Sequence, residues 1–117
     1  MGKEQTTERA YWQGKLDAYT EVLDTDLKVF DIYDDNIVNK EKRLSELNET
    51  ELRNYGYFKI ARLSSLMDCE RHAEQYQLAY RKLNDGSRDE IIDKKIAERQ
   101  QLEITCFTDR QNDTHGK

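Results

Sequence analysis

Asp68, Cys69 and His72 are the side chains best spaced to do chemistry in this sequence. On one helix turn they would offer a carboxylate, a thiolate and an imidazole to a metal ion. Zinc normally takes four well-placed ligands, and the other histidine, His115, lies in a polar C-terminal stretch with no partner motif. The sequence therefore predicts a structural cysteine beside a boundary histidine, and no metal. The Glu-x-x-His motifs of di-iron bundles are also missing.

Asp24, Asp26, Asp31, Asp34 and Asp35 form the other conspicuous cluster. They do not make a calcium loop, which needs a glycine at its sharp turn and a glutamate at its last ligand position. They read instead as a solvated, partly ion-paired helix face. Asp31, Asp34 and Asp35 are its candidates for docking on a basic protein surface, as an inhibitor of a nucleic-acid enzyme would. There is no Gly-x-Ser-x-Gly elbow and no phosphate-binding glycine loop, so neither an enzyme nor a bound cofactor is expected.

The elements that must carry these residues follow from composition. The chain has 117 residues, 37% of them charged and 36% hydrophobic, with no proline and five glycines. That is room for one domain, and the balance suits an elongated helical protein better than a multilayered globule or a disordered tail. A net charge of −5 disfavours general binding to phosphate backbones. By segment the charge is −4 over residues 1–47, +1 over 48–84 and −2 over 85–117, so the middle segment is the electrostatic partner of the first. No apolar run suits a membrane span or a signal peptide, which predicts a cytoplasmic protein with Cys69 and Cys106 as free thiols. In that setting the sequons at Asn48 and Asn112 carry no sugar, and the Met-Gly start with Thr6 is a permissive match to an acylation signal.

Trp12, Leu16, Tyr19, Leu23, Phe30, Tyr33, Ile37, Leu44 and Leu47 recur at alternating steps of three and four, skipping Asp26 and Lys40. This is one face of a long helix, predicted over about 7–47. Asn48 and Glu51 form a capping box that opens a second helix over about 49–84, with Leu52, Tyr55, Leu66, Cys69, Ala73, Tyr76, Tyr80 and Leu83 inward. Asn84-Asp85-Gly86 stops it, and Ser87 with Glu90 caps a third helix over about 88–107. Ile91, Ile92, Ile96, Ala97, Leu102 and Phe107 are its inward candidates, followed by a loose polar tail over 108–117. Residues 27–33 and 102–108 also alternate in the manner of strands, the structural alternative.

A turn at Asn48 puts residue i of the first helix level with residue 96 minus i of the second, so Asp34 meets Arg62. A third helix of about twenty residues would cover the second from Leu66 to Leu83 and leave residues 32–64 as a projecting hairpin. In that region Phe58, Tyr55, Leu66, Leu52, Leu63, Met67 and Ile60 span about 200° of the helix, more than one neighbour can bury. The surplus centres on Ile60, Leu63 and Met67, with Gly56 allowing close approach. Tyr57 points about 160° away from Tyr55 and, with Tyr11 and Trp12, is a candidate contact anchor.

The sequence thus predicts an all-α, elongated antiparallel three-helix bundle or coiled coil with a projecting hairpin. Its expected function is binding another protein, as an adaptor or inhibitor, through Tyr57, Ile60, Leu63, Met67 and the acids Asp31, Asp34 and Asp35, with self-association into a homo-oligomer. The alternative is a nucleic-acid-associated regulator using Arg53, Lys59, Arg62, Arg71, Arg81 and Lys82 of the second helix.

Overall fold

The computed structural model describes the backbone of residues 2–38 and 40–115 and the side chains of residues 7–38 and 40–104. Three helices, α1 (Gly2–Asp35), α2 (Glu49–Leu83) and α3 (Glu90–His115), lie side by side in an all-α bundle measuring 68 × 22 × 15 Å. Successive helices run antiparallel.

The expected first helix stops twelve residues early, and the chemistry of its end explains why. Asp31, Asp34 and Asp35 crowd the last turn, which carries no basic residue of its own to offset the negative end of the helix dipole. Asn36 then closes the helix, its side-chain amide donating to the Ile32 carbonyl at 2.7 Å. Among the described residues between α1 and α2 the one regular element is a short 3₁₀ turn, Leu44–Glu46. The apolar stripe nevertheless holds, because Ile37 and Leu47 are buried from this irregular segment. The Val38 amide donates to the Asn54 side chain at 3.2 Å, fastening the segment to α2.

Asn48 caps α2 as its sequence requires. The Glu51 amide donates to the Asn48 side chain at 2.9 Å, and the Asn48 amide donates back to the Glu51 carboxylate at 3.0 Å. The hairpin register also matches expectation, with Asp34 on Arg62 and the pairs Asp26–His72 and Trp12–Lys82 within two residues of the same rule. At the far end of α2, Asp85 and Gly86 take positive φ (51° and 85°), and the Gly86 amide donates to the Arg81 carbonyl at 3.0 Å.

The third helix starts later and runs further than predicted. Asp89, not Ser87, caps it, accepting from the Ile91 amide at 3.0 Å. The choice is made by α2: the buried Gln77 side chain donates to the Asp89 carbonyl and accepts from the Asp89 amide, both at 2.9 Å, and the Tyr76 hydroxyl donates to the Asp89 carboxylate. Burial, reinforced by that carboxylate, pushes the Tyr76 hydroxyl far above its ordinary range. This anchoring sets the phase of α3, turning Ile96 and Glu103 inward while Ile91, Ala97 and Leu102 face solvent. The expected inward Phe107 lies outside the residues whose side chains are described. The segment expected to be a loose tail is helical to His115, and residues 27–33 and 102–108 are helical, with no strand among the described residues.

The greater length of α3 relocates the two-helix part. From Asp89 beside Gln77, α3 runs back past Lys59 and Arg62 to pack against the 3₁₀ turn, so the end formed by residues 32–64 is covered rather than projecting. Among the described residues only α1 and α2 meet at the opposite end, where Trp12 lies beside Lys82. The apolar core sits between these ends: Leu23 and Leu27 of α1, Cys69, Ala73 and Tyr76 of α2 and Ile96 of α3, flanked by Leu16, Tyr19, Tyr80 and Ile92.

Candidate interaction surfaces

Three faces of α2 have three different environments. The line Phe58, Ser65 and His72 meets α1, through Tyr33, the Asp26 carbonyl and the Asp26 carboxylate. Lys59, Glu70 and Gln77 meet α3 through Glu103, Gln100 and Asp89. At about 100° per residue, Ile60 and Met67 stand about 150° from the first line and about 80 to 90° from the second. Among the described residues no side chain of α1 or α3 covers them. Tyr57 and Ile60 are each 65% exposed, Met67 59% and Leu63 40%, so the four apolar candidates form one open strip on the outer face. Tyr57 packs edge-on against Phe58, their ring centroids 4.9 Å apart, which anchors it at the margin of the strip.

Directly behind the strip the interior is ionic. Arg62 is 2% exposed; its Nη1 donates to Asp34 at 2.5 Å and its Nε donates to Glu103 at 2.7 Å. Lys59 pairs with the same Glu103, and Lys40 pairs with Asp34 at 2.9 Å. The guanidinium groups of Arg62 and Arg99 each lie 5.7 Å from the centre of the Phe30 ring, a favourable arrangement for cations over an aromatic face. Burial acts to raise the Asp34 pKa, but hydrogen bonds from Lys40 and Arg62 outweigh it and hold the carboxyl below the usual aspartate range.

The acidic candidates therefore divide. Asp34 is committed to the interior cluster, and Asp31 accepts from Arg99 of α3 at 2.9 Å while remaining open to solvent. Asp35 is exposed at the end of α1. Of the basic candidates, Lys59 and Arg62 are spent on internal pairs. Arg53 and Arg71 make exposed pairs along α2 with Glu49 and Asp68, at 2.9 and 2.7 Å. The register rule pointed to Asp34–Arg62. It did not reveal Glu103, whose only signal is its place seven residues after Ile96 on the inner face of α3.

The potential metal ligands are not brought together. Cys69 is in the core, where burial pushes its thiol up to about 11. His72 Nδ1 is 2.6 Å from the Asp26 carboxylate, and Asp68 accepts from Arg71. Among the described residues no group of three acidic, histidine or cysteine side chains is placed to hold an ion.

Tyr11 and Trp12 mark the two-helix end. Tyr11 stands edge-on to Trp12, and the ammonium groups of Lys15 and Lys82 lie 5.3 and 5.6 Å from the Trp12 ring. Glu8, Arg9, Trp12 and Lys82 line an open groove there, with too little apolar surface to act as a strong anchor. No helix among the described residues is long and apolar enough to cross a membrane. No family model, no curated protein and no solved structure matches the chain.

Proposed function

We propose that this chain is a non-enzymatic protein–protein interaction module, an adaptor or inhibitor that works through its helix faces and associates with itself. The observation that carries this reading is the inversion of the helix at residues 59–67. Arg62, with Lys59 beside it, points in; Ile60, Leu63 and Met67 point out. Burying ions costs desolvation, while exposed apolar side chains forgo about 1.5–3 kcal/mol each, so for these turns taken by themselves the reverse arrangement would suit a monomer better. The inversion is economical if the outer face is dry in the working state.

The alternative, a nucleic-acid-associated regulator, is disfavoured by the internal commitment of Lys59 and Arg62, which removes the centre of the proposed basic face. A salt-titrated assay with duplex and single-stranded nucleic acid should find no steep salt-dependent affinity. The leading reading is tested by Tyr57→Ser combined with Ile60→Glu. This variant should keep its helical circular dichroism and fail to retain the host proteins that the wild-type chain captures. A folded variant that captures the same proteins would move the contact surface to the acids around Asp31 and Asp35. An unfolded one would show that the strip belongs to the internal core.

A further inference from the structure

The open face of α2 carries its own three-four repeat, Arg53, Gly56, Ile60, Leu63, Met67 and Glu74, with the half-buried Glu70 completing it at the margin toward α3. We propose that this repeat is an isologous seam to a second copy of the chain, with the two α2 helices antiparallel and residue i facing residue 123 minus i of the other copy. The inference rests on the reading above and names the partner and the register.

Charge and shape both select this pairing. A parallel pair would set Arg53 against Arg53, Glu70 against Glu70 and Gly56 against Gly56. That gives two repulsive layers and one hole. The antiparallel register sets Arg53 against Glu70 at each end, Gly56 against Met67 next, and Ile60 against Leu63 on either side of the two-fold axis. Like charges become opposite ones, and the hole receives the longest apolar side chain in the strip. The space is real. A Cβ added to Gly56 would meet no atom within 4 Å, and flexible Met67 can fill an irregular gap of that kind. Arg53 is open to solvent, as Arg53–Glu49 is an exposed pair, and the half-buried Glu70 accepts, among the described residues, one hydrogen bond, at 2.6 Å from Gln100. Glu49 and Glu74, one layer further out, face each other with like charge and bound the seam.

Ile104 gives independent support. It is 60% exposed, next to the Glu103 that reaches Lys59 and Arg62, and about one turn beyond the Gln100 that reaches Glu70. Its level along the bundle is therefore that of the proposed two-fold axis, midway between residues 61 and 62, and its flank of α3 is the one turned toward the strip. A two-fold axis perpendicular to the helices keeps α3 of both copies on the same side, so their Ile104 side chains approach each other beside the seam. The four apolar layers and this contact make a small interface, below about 1,200 Å² in total, of the size found in weak or transient associations.

The experiment is a charge exchange read by light scattering and sedimentation of the full chain, with circular dichroism for folding. Wild type should pass from the 13.9 kDa monomer to a dimer as concentration rises. Arg53→Glu and Glu70→Arg should each weaken the dimer by roughly 10- to 100-fold, because either change makes both end layers repulsive. An equimolar mixture of the two variants should regain the wild-type affinity, since each layer of the mixed dimer again holds one Glu and one Arg. If the mixture gains nothing although both variants are folded, this register is overturned. A wild-type chain that stays monomeric throughout overturns the self-seam, and the interaction reading then stands or falls on capture of host proteins by the Tyr57/Ile60 surface.

Discussion

Arg62→Met tests the interior cluster most sharply. The substitution keeps an unbranched side chain and removes the guanidinium that Asp34 and Glu103 share, leaving carboxylates that are 18% and 11% exposed without their common partner. Removing one member of a buried ion pair costs about 3–5 kcal/mol, mostly because the remaining charge stays desolvated. Here Lys40 still holds Asp34 and Lys59 still holds Glu103, so the lower bound, about 3 kcal/mol, is the expected loss. With an unfolding entropy of about 2.1 cal/mol/K per residue, that lowers Tm by about 12 °C. Urea unfolding of wild type, Arg62→Met, Asp34→Asn and the double variant measures the coupling directly. A loss under about 1 kcal/mol with no coupling to Asp34 would mean that the guanidinium is solvated, and the inverted interior at residues 59–67 would lose its basis.

Acid should destabilise the fold through the carboxyls held below their ordinary range, Asp34 by Lys40 and Arg62, and Asp93 chiefly by its bond from Arg88. Their contribution is complete above the ordinary aspartate value of 3.8 and drains away as pH falls through the lower folded values, so urea midpoints should drop below about pH 4, and less steeply in Asp93→Asn. In a Cys106→Ser background, Cys69 should resist a water-soluble thiol reagent until denaturant is added; modification at the rate of a free thiol would contradict its core position. Gly86→Ala should cost about 1 kcal/mol because φ is +85° there. Gly14→Ala, which meets open space within α1, should stabilise by about 0.5–1 kcal/mol; equal signs in urea titrations of the two variants would contradict the turn geometry.

Periodicity and capping chemistry made much of the fold legible. The Asn48 box, the Asn84-Asp85-Gly86 stop and the Asp34–Arg62 register are local or nearly local signals, and each acts in the structure as its chemistry suggests. The end of α1 was harder to read because its apolar stripe passes through a region that is not helical. Ile37 and Leu47 satisfy the repeat from irregular backbone, so the repeat there marks burial and not helical conformation. The start and phase of α3 depend on Gln77 gripping Asp89 across the interface. No pattern within residues 84–104 contains that contact, and from it follow both the inward Glu103 and the outward Leu102.

The remaining ambiguity lay within α2, which carries two three-four stripes. One runs Arg62, Leu66, Cys69, Ala73, Tyr76, Tyr80; the other runs Arg53, Gly56, Ile60, Leu63, Met67, Glu70. Around Ile60 the second stripe is the more apolar, and a local reading would turn it inward. A straight helix, however, presents one face along its whole length, so the choice depends on the sum over all its turns. The first stripe stays compatible with burial through Tyr80, whereas the second ends in Glu70 and Glu74. Turning the second stripe inward would expose Leu66, Cys69, Ala73 and Tyr76 to bury Ile60, Leu63 and Met67, and it would place two glutamates in the apolar core. Holding the first stripe inward buries one arginine, and Asp34 and Glu103 stand where they can compensate it. The exposed strip and the buried ion cluster are thus consequences of one decision about the rotation of α2. An Ile60 variant and an Arg62 variant accordingly separate its two outcomes: the first should change what the protein binds, and the second how firmly it is folded.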